Sequence, residues 1–315
     1  MNETKYNQYK TFNLNKKRPQ VLLVGNGLSR QISWKKFIKN VSVRDVEKYY
    51  NDKQFQLPNL ILASAVTDID DSARQSKYME AIEGYKNFVS EQMKDLLSIS
   101  FDAILTTNYT YELENNLNSN YGSMSNETKR DRYAKTTEGK YDNKYFLHTF
   151  NKVIGKHVLQ DIWHIHGECR RKSSLILTHD EYAKLMGQII TYNHENKNKF
   201  YRYFDNLNFM SWIDYFIMGD LYILGQGFDF SEFDLWWLLL RRLREKAETG
   251  KIIFYEPIKE DNKYKLLALK DLGVEINSLG HTIDKSKDEN EQYKKFYNEA
   301  IKDIYLKVLY NQEEN

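Results

Sequence analysis

The chain has 315 residues, enough to bury a sizeable core, and its 46 basic and 44 acidic side chains leave a formal charge of +2. That balance excludes the strong field of a general nucleic-acid-binding surface, and the short run Lys16-Lys17-Arg18 reads as a solvated flank before a strand. A single cysteine, Cys169, excludes an internal disulfide framework and a four-cysteine zinc ribbon, and no apolar run reaches the roughly 18 residues of a membrane span. The opening MNETKYNQYKTFNLNKK lacks the apolar core of a secretion signal, so the expectation is a cytoplasmic protein with neither membrane nor direct nucleic-acid contact.

Residues 1–18 are polar and read as a flexible arm ahead of a single domain over 19–315. Val21–Arg30, VLLVGNGLSR, is the stretch around which the rest is arranged: an apolar run, suited to a strand covered on both faces, breaks into Gly25-Asn26-Gly27. Ser33 to Ile38 continue as a short helix, and residues 44–70 carry two helical pieces separated near Pro58. Tyr78, Ile82, Tyr85, Val89, Met93 and Leu96 fall at three- and four-residue spacing and predict one face of a long helix. Phe101 to Thr106 read as a second buried strand with a helix directly behind Tyr109, and residues 118–144 as a polar surface loop. Gln160 to Gly167 make a third strand, Leu175 to Leu177 a brief fourth with Thr178 or Asp180 capping the helix after it, and 181–218 look largely helical. Leu221 to Leu224 end in a second glycine turn, Gly225-Gln226-Gly227, before a helix opened by Ser231 to Asp234. Ile252 to Tyr255 and Val274 to Ile276 are the last strands, and Tyr293, Tyr297, Ile301, Ile304 and Val308 mark the face of a closing helix.

Strands separated by helices imply crossover connections. The expected class is therefore α/β, Rossmann-like, a mostly parallel sheet flanked by helices, with helical insertions at about 44–98 and 181–218. In such sheets ligands bind beyond the carboxyl ends of the strands, so one site shared by both glycine turns demands that their strands be neighbours at the switch point.

Four segments in order, Gly25-Asn26-Gly27-Leu28-Ser29, Thr106-Thr107-Asn108-Tyr109, His164-Ile165-His166-Gly167 and Leu224-Gly225-Gln226-Gly227 with the following Glu232 to Trp237, resemble the sirtuin family. The similarity is to its bacterial sirtuin-like branch associated with defence against phage. The resemblance implies NAD as the bound dinucleotide and cleavage of its nicotinamide–ribose bond, with Asn108 and His166 as catalytic residues and His164 as a bystander. It also implies that Gly25, Asn26, Gly27, Ser29 and Thr107 face the cofactor on one side, with Gly225, Gln226 and Gly227 opposite. The chain departs from the sirtuin deacetylases in lacking the four-cysteine zinc ribbon, in Thr110 where an Asp is usual, and in Asn26 where alanine is common. These departures favour NAD hydrolysis over protein deacetylation, and NAD depletion in abortive infection is the defence role implied. The alternative is a non-catalytic module that senses NAD or ADP-ribose and acts through a partner.

The chemistry is consistent with those residue types. Nicotinamide leaves as a neutral base from a cationic ring, so the demands are to stabilise an oxocarbenium-like sugar and deliver a nucleophile. An Asn offers both donor and acceptor to orient a water or carboxamide, and a His near neutrality accepts a proton. Other readings stay open: Asn108 as a helix N-cap, both glycine motifs as plain strand-ending turns, and His164 and His166 on one strand face as a metal pair with His179 or Glu168. The expectation is no metal. Glu256, at a strand end, is a candidate for a ribose hydroxyl, and Trp236 and Trp237 read as core aromatics. An enzyme that drains NAD must be held off, so control by homo-oligomerisation, a separately encoded sensor or activator protein, or a nucleotide signal is expected.

Overall fold

The computed structural model describes residues 10–14, 17–29, 34–50, 58–68, 70–83, 90–120, 131–134, 147, 149–154, 159–169, 174–196, 207–245 and 249–313. Strands β1 (Lys10–Phe12) and β2 (Gln20–Val24) are followed by helices α1 (Trp34–Val41), α2 (Glu47–Tyr50), α3 (Asn59–Val66), α4 (Asp71–Glu83) and α5 (Glu91–Leu97). Then come β3 (Ala103–Thr106), α6 (Glu112–Asn120), β4 (Asp131–Ala134), β5 (Thr149–Ile154), β6 (Leu159–His164), α7 (His179–Glu195), β7 (Leu207–Phe209) and α8 (Trp212–Met218). The chain closes with β8 (Asp220–Leu224), α9 (Phe233–Arg244), β9 (Ile252–Tyr255), α10 (Lys263–Asp271), β10 (Glu275–Asn277) and α11 (Glu289–Glu313).

The main sheet runs β10-β9-β8-β2-β3-β6-β5-β4, with the pairs from β10 to β6 parallel and those from β6 to β4 antiparallel. From β2 the chain proceeds through β3 and β6 on one side, then returns to lay β8, β9 and β10 on the other. That is the doubly wound order, and its reversal falls between β2 and β8. Val24 is paired with Leu224, so the two glycine turns leave the sheet side by side at the switch point.

The apolar strands show why the sheet is covered twice. Along β2, Val21 and Leu23 join the cluster built with α7, α8, α9 and α10, while Leu22 and Val24 join the opposite one built with α5, α6 and α11. The same alternation holds along β8 (Leu221 and Ile223 against Tyr222 and Leu224) and β9 (Ile252 and Phe254 against Ile253 and Tyr255). A third cluster lies past the carboxyl ends of β3 and β6, where Phe37, Ile38, Leu62, Tyr78 and Ile82 pack on Tyr109, Tyr111, Leu175 and Leu177. It seats the helices α1, α3 and α4 over the end of the sheet where the loops converge.

Several expectations need correction. The arm over 1–18 contains a strand, since Lys10–Phe12 pairs antiparallel with Leu207–Phe209; the latter also interrupts the helical stretch expected over 181–218. The predicted long helix is two: Ser90 caps a new one at Glu91 by accepting from Met93 N. Tyr78 and Ile82 consequently belong to one apolar cluster and Met93 and Leu96 to another, while Tyr85 and Val89 lie outside the described residues. Within 118–144, Asp131–Ala134 is an edge strand on β5 rather than loop. Leu175 to Leu177 joins no sheet; Ile176 N donates instead to His166 O at 3.0 Å. Trp236 and Trp237 are partly buried against the first core cluster, as core aromatics should be.

Candidate active site

Beyond the carboxyl ends of β2, β3, β6, β8 and β9 lies a cavity of about 390 Å³. Five loops supply its base: Asn26 and Gly27, Thr107 and Asn108, His166, Gly225 to Gly227, and Glu256. Such a volume at a switch point is in the range of small-molecule sites. Of the residues that the resemblance assigns to catalysis or to the cofactor, Gly25 and Ser29 stand outside the lining.

The two glycine turns are interlocked. Gly25 N donates to Leu224 O at 3.1 Å and Gly27 N to Gly225 O at 2.7 Å. A Cβ on Gly27 would sit 2.6 Å from Gly225 O, and Gly225 itself has φ +67°. The Gly25 amide is thus taken up by the end of β8 and the Gly27 amide by the second turn. Ser29 Oγ faces Asn26, at 3.4 Å from its carbonyl oxygen. Thr107 Oγ1 donates to Gln226 Oε1 at 3.1 Å, and Gln226 Nε2 donates to both oxygens of Glu232 at 2.9 and 3.0 Å. Glu232 is driven up to about 7 by burial, helped by Asp234 and Asp229 and opposed by His166 and the Asp229 amide.

Asn108 is no N-cap, because the helix behind it begins only at Glu112. Its amide nitrogen Nδ2 donates to Glu112 Oε1, its backbone N donates to Thr106 Oγ1 at 3.1 Å, and its carbonyl oxygen lies 2.7 Å from His164 Nδ1. Thr110, where an Asp is usual in the family, donates to the other Glu112 oxygen. Burial raises the Glu112 carboxyl, against the Thr110 hydrogen bond and the His164 charge.

His164 and His166 do not share a strand face. β6 ends at His164 and the chain turns at Ile165-His166, held by Ile165 N to Thr106 O at 2.9 Å and Gly167 N to His164 O at 3.0 Å. His164 points at Glu114, with Nε2 3.0 Å from Oε1. Burial pulls His164 down, but the Glu114 charge and hydrogen bond, the Glu168 charge and the Asn108 carbonyl together hold it at about 9. His166 lines the cavity with Nε2 2.7 Å from Asp234 Oδ2 and Nδ1 3.4 Å from Tyr182 OH. Burial again pulls down, and the Asp234 charge and hydrogen bond with the Glu232 charge outweigh it, so His166 is raised above 6.5. Gly167 at φ +91° makes this turn possible: a Cβ there would meet Ser174 O at 2.1 Å. Among the described residues no group of three His, Cys, Asp or Glu side chains is placed to hold a metal ion.

The residues missed in the sequence are those reached only through space: Asp234 and Tyr182 around His166, Glu112 on Asn108, and Lys259, Lys265, Tyr293 and Tyr297 in the wall. Glu112 alone left a local signal, a carboxylate four residues after the Asn on a helix start. Glu256 stands at the end of β9 as expected, bridged to Lys259 Nζ at 3.2 Å and accepting from Asn262 Nδ2 at 3.3 Å. Burial raises Glu256, against the Lys259 charge.

Residues 102–276 match the family described as SIR2-like domain, more than half of the chain. The protein belongs to the SIR2-like family. The matched span contains Asn108, His166 and the second glycine turn, and β2 with the first turn, though outside it, is hydrogen-bonded between β3 and β8 within it. Members of the SIR2-like family are in general NAD-dependent enzymes, so the function of this chain is NAD-related. No curated protein matches the chain. No described helix is long and apolar enough to cross a membrane.

Proposed function

We propose that this SIR2-like protein is an NAD glycohydrolase that releases nicotinamide and leaves ADP-ribose. The observation that carries the reading is that Asn108 and His166, from two different strand ends, line the same cavity at the switch point, with His166 backed by a buried carboxylate. His166 donates Nε2–H to Asp234 and so presents Nδ1 as the basic nitrogen, able to accept a proton from a ribose hydroxyl or an attacking water. Asn108, tied through Nδ2 to Glu112, presents its amide oxygen to orient that water or the carboxamide. No acid is required for a leaving group that departs neutral. Gly225 to Gly227, Glu256 and the first turn support a dinucleotide lying across β2 and β8, the adenosine half toward β9.

The same resemblance supports NAD depletion in anti-phage defence, with the enzyme restrained by homo-oligomerisation or a separately encoded partner until infection. The test is nicotinamide release by the purified chain at high protein concentration, beside Asn108→Ala and His166→Ala. Turnover lost in both variants supports the hydrolase. Tight NAD binding without turnover in every assembly state would replace it with the sensing module.

A further inference from the structure

The hydrolase reading uses Asn108 and His166 and leaves the other histidine of the pair without a task. We propose that His164, backed by Glu114, is a positioning residue that clamps the Asn108 peptide so that its side-chain amide meets the substrate in one orientation. The proposal rests on the NAD-cleavage reading for its consequence, though not for its geometry.

Asn108 lies in the loop that leaves β3, past the last ladder bond and before the helix at Glu112, so no regular structure holds its carbonyl. His164 does so, 2.7 Å away through Nδ1. A carbonyl oxygen only accepts, so Nδ1 carries the proton, and Nε2 faces the Glu114 carboxylate at 3.0 Å. Both partners are buried and neither lines the cavity. Tyr111 packs edge-on against the imidazole, with ring centroids 5.4 Å apart, and donates its hydroxyl to Glu168 at 2.7 Å, which fixes the ring plane. A buried ion pair contributes little to stability compared with apolar side chains of the same size, so packing alone gives no reason for one here. What it supplies is a donor at a fixed point. With the carbonyl bound to His164, the backbone N to Thr106 and one Nδ2–H to Glu112, the orientation of the side-chain amide is fixed, and Oδ1 with the second Nδ2–H is what Asn108 presents.

The test uses the full chain as wild type, Asn108→Ala, His164→Ala, His164→Asn and Glu114→Gln. The first readout needs no substrate: the Asn108 side-chain amide signal in a 15N NMR spectrum, identified by its absence from Asn108→Ala. It is expected to be dispersed in the wild type and in His164→Asn, whose Nδ2–H replaces Nδ1–H, and to move to the averaged position of a loose Asn in His164→Ala. The second is kinetic: kcat for nicotinamide release is expected to fall about 10- to 100-fold in His164→Ala with KM within about twofold, and to return to within about threefold in His164→Asn. Glu114→Gln conserves volume and carries the test if His164→Ala does not fold, with the same signal displaced and kcat lowered about threefold or more. An unmoved Asn108 signal overturns the proposal, as does a kcat loss that His164→Asn leaves unrestored. A displaced signal in a chain whose wild type releases no nicotinamide overturns the hydrolase reading while the clamp stands.

Discussion

His166 Nε2 and Asp234 Oδ2 are 2.7 Å apart, with Asp234 fully buried in the first turn of α9 and His166 in the turn after β6. The second Asp234 oxygen has no hydrogen-bond partner among the described residues, so the imidazole is the acid's principal contact. A buried carboxylate against one ring nitrogen fixes the tautomer and makes the other nitrogen more basic.

From this follows a pH dependence. His166 acts as a base only when neutral, and it is raised above 6.5 by Asp234 and Glu232 against burial. On the proposed hydrolase reading, kcat/KM for nicotinamide release in the wild type is therefore expected to climb with pH through a midpoint above 6.5. Asp234→Asn removes the largest raising cause and leaves burial unopposed by it, so the midpoint moves down. The rate falls about 10²-fold or more because the ring loses its orientation. A pH–rate profile of both proteins checks this; a midpoint that does not move in Asp234→Asn would sink the dyad.

Gly167→Ala places a side chain on a backbone at φ +91° and drives Cβ to 2.1 Å from Ser174 O. Left-handed strain and a backbone clash together are expected to cost at least about 2 kcal/mol. Thermal denaturation reads the loss, and nicotinamide release is expected to fall with it since His166 is the preceding residue. Unaltered melting would show that the segment around Ser174 can move aside.

The two glycine motifs separate under substitution. In Gly27→Ala the new Cβ meets Gly225 O at 2.6 Å and Gly225 Cα at 2.9 Å, so the turns must part, while a Cβ at Gly227 meets nothing within 4 Å. Gly27→Ala is expected to lower stability by about 2 kcal/mol or more and to weaken NAD binding, Gly227→Ala to shift stability by well under about 1 kcal/mol. Denaturant titration and calorimetry with NAD give both numbers. Equal stability losses would mean that the interlock at the switch point carries no weight.

What was legible in the sequence is what is local. Val21 to Val24 had to be a buried strand because it is apolar at every position, and a G-x-G break after it marks its carboxyl end wherever the strand lies. Asn108 and His166 were readable because each follows a strand within a short motif. The Asp234 partnership was not, since Asp234 sits in an acidic helix start that reads equally well as dipole complement. The shared face of His164 and His166 fails for a related reason: the alternation rule puts them side by side, and the chain turns at Ile165 before that rule can apply. The break at Ser90 escaped because Tyr78 to Leu96 keep helical spacing across two helices that pack on different clusters. β1 and β7 pair across most of the chain, as with Lys10 and Phe209, and local patterning carries no trace of them, while β4, an edge strand on β5, lies in a stretch whose polar composition reads as loop.

Glu232 links the site to stability. It is half-buried, accepts from Gln226 Nε2 and Asp229 N, and is raised from 4.5 to about 7, with desolvation the largest cause. The sign follows: the fold favours the protonated acid, so the penalty is absent below 4.5 and develops as pH rises towards 7. At 1.36 kcal/mol per unit the difference is on the order of 3 kcal/mol by pH 8. Glu232→Gln keeps an acceptor for Gln226 and cannot ionise, so its melting temperature relative to wild type should be several degrees higher at pH 8 than at pH 5. The comparison between the two pH values cancels any change in packing common to both. A difference that stays constant across that range would mean Glu232 is ionised throughout, and that the acidic wall beside His166 carries its full charge at every pH where the enzyme is assayed.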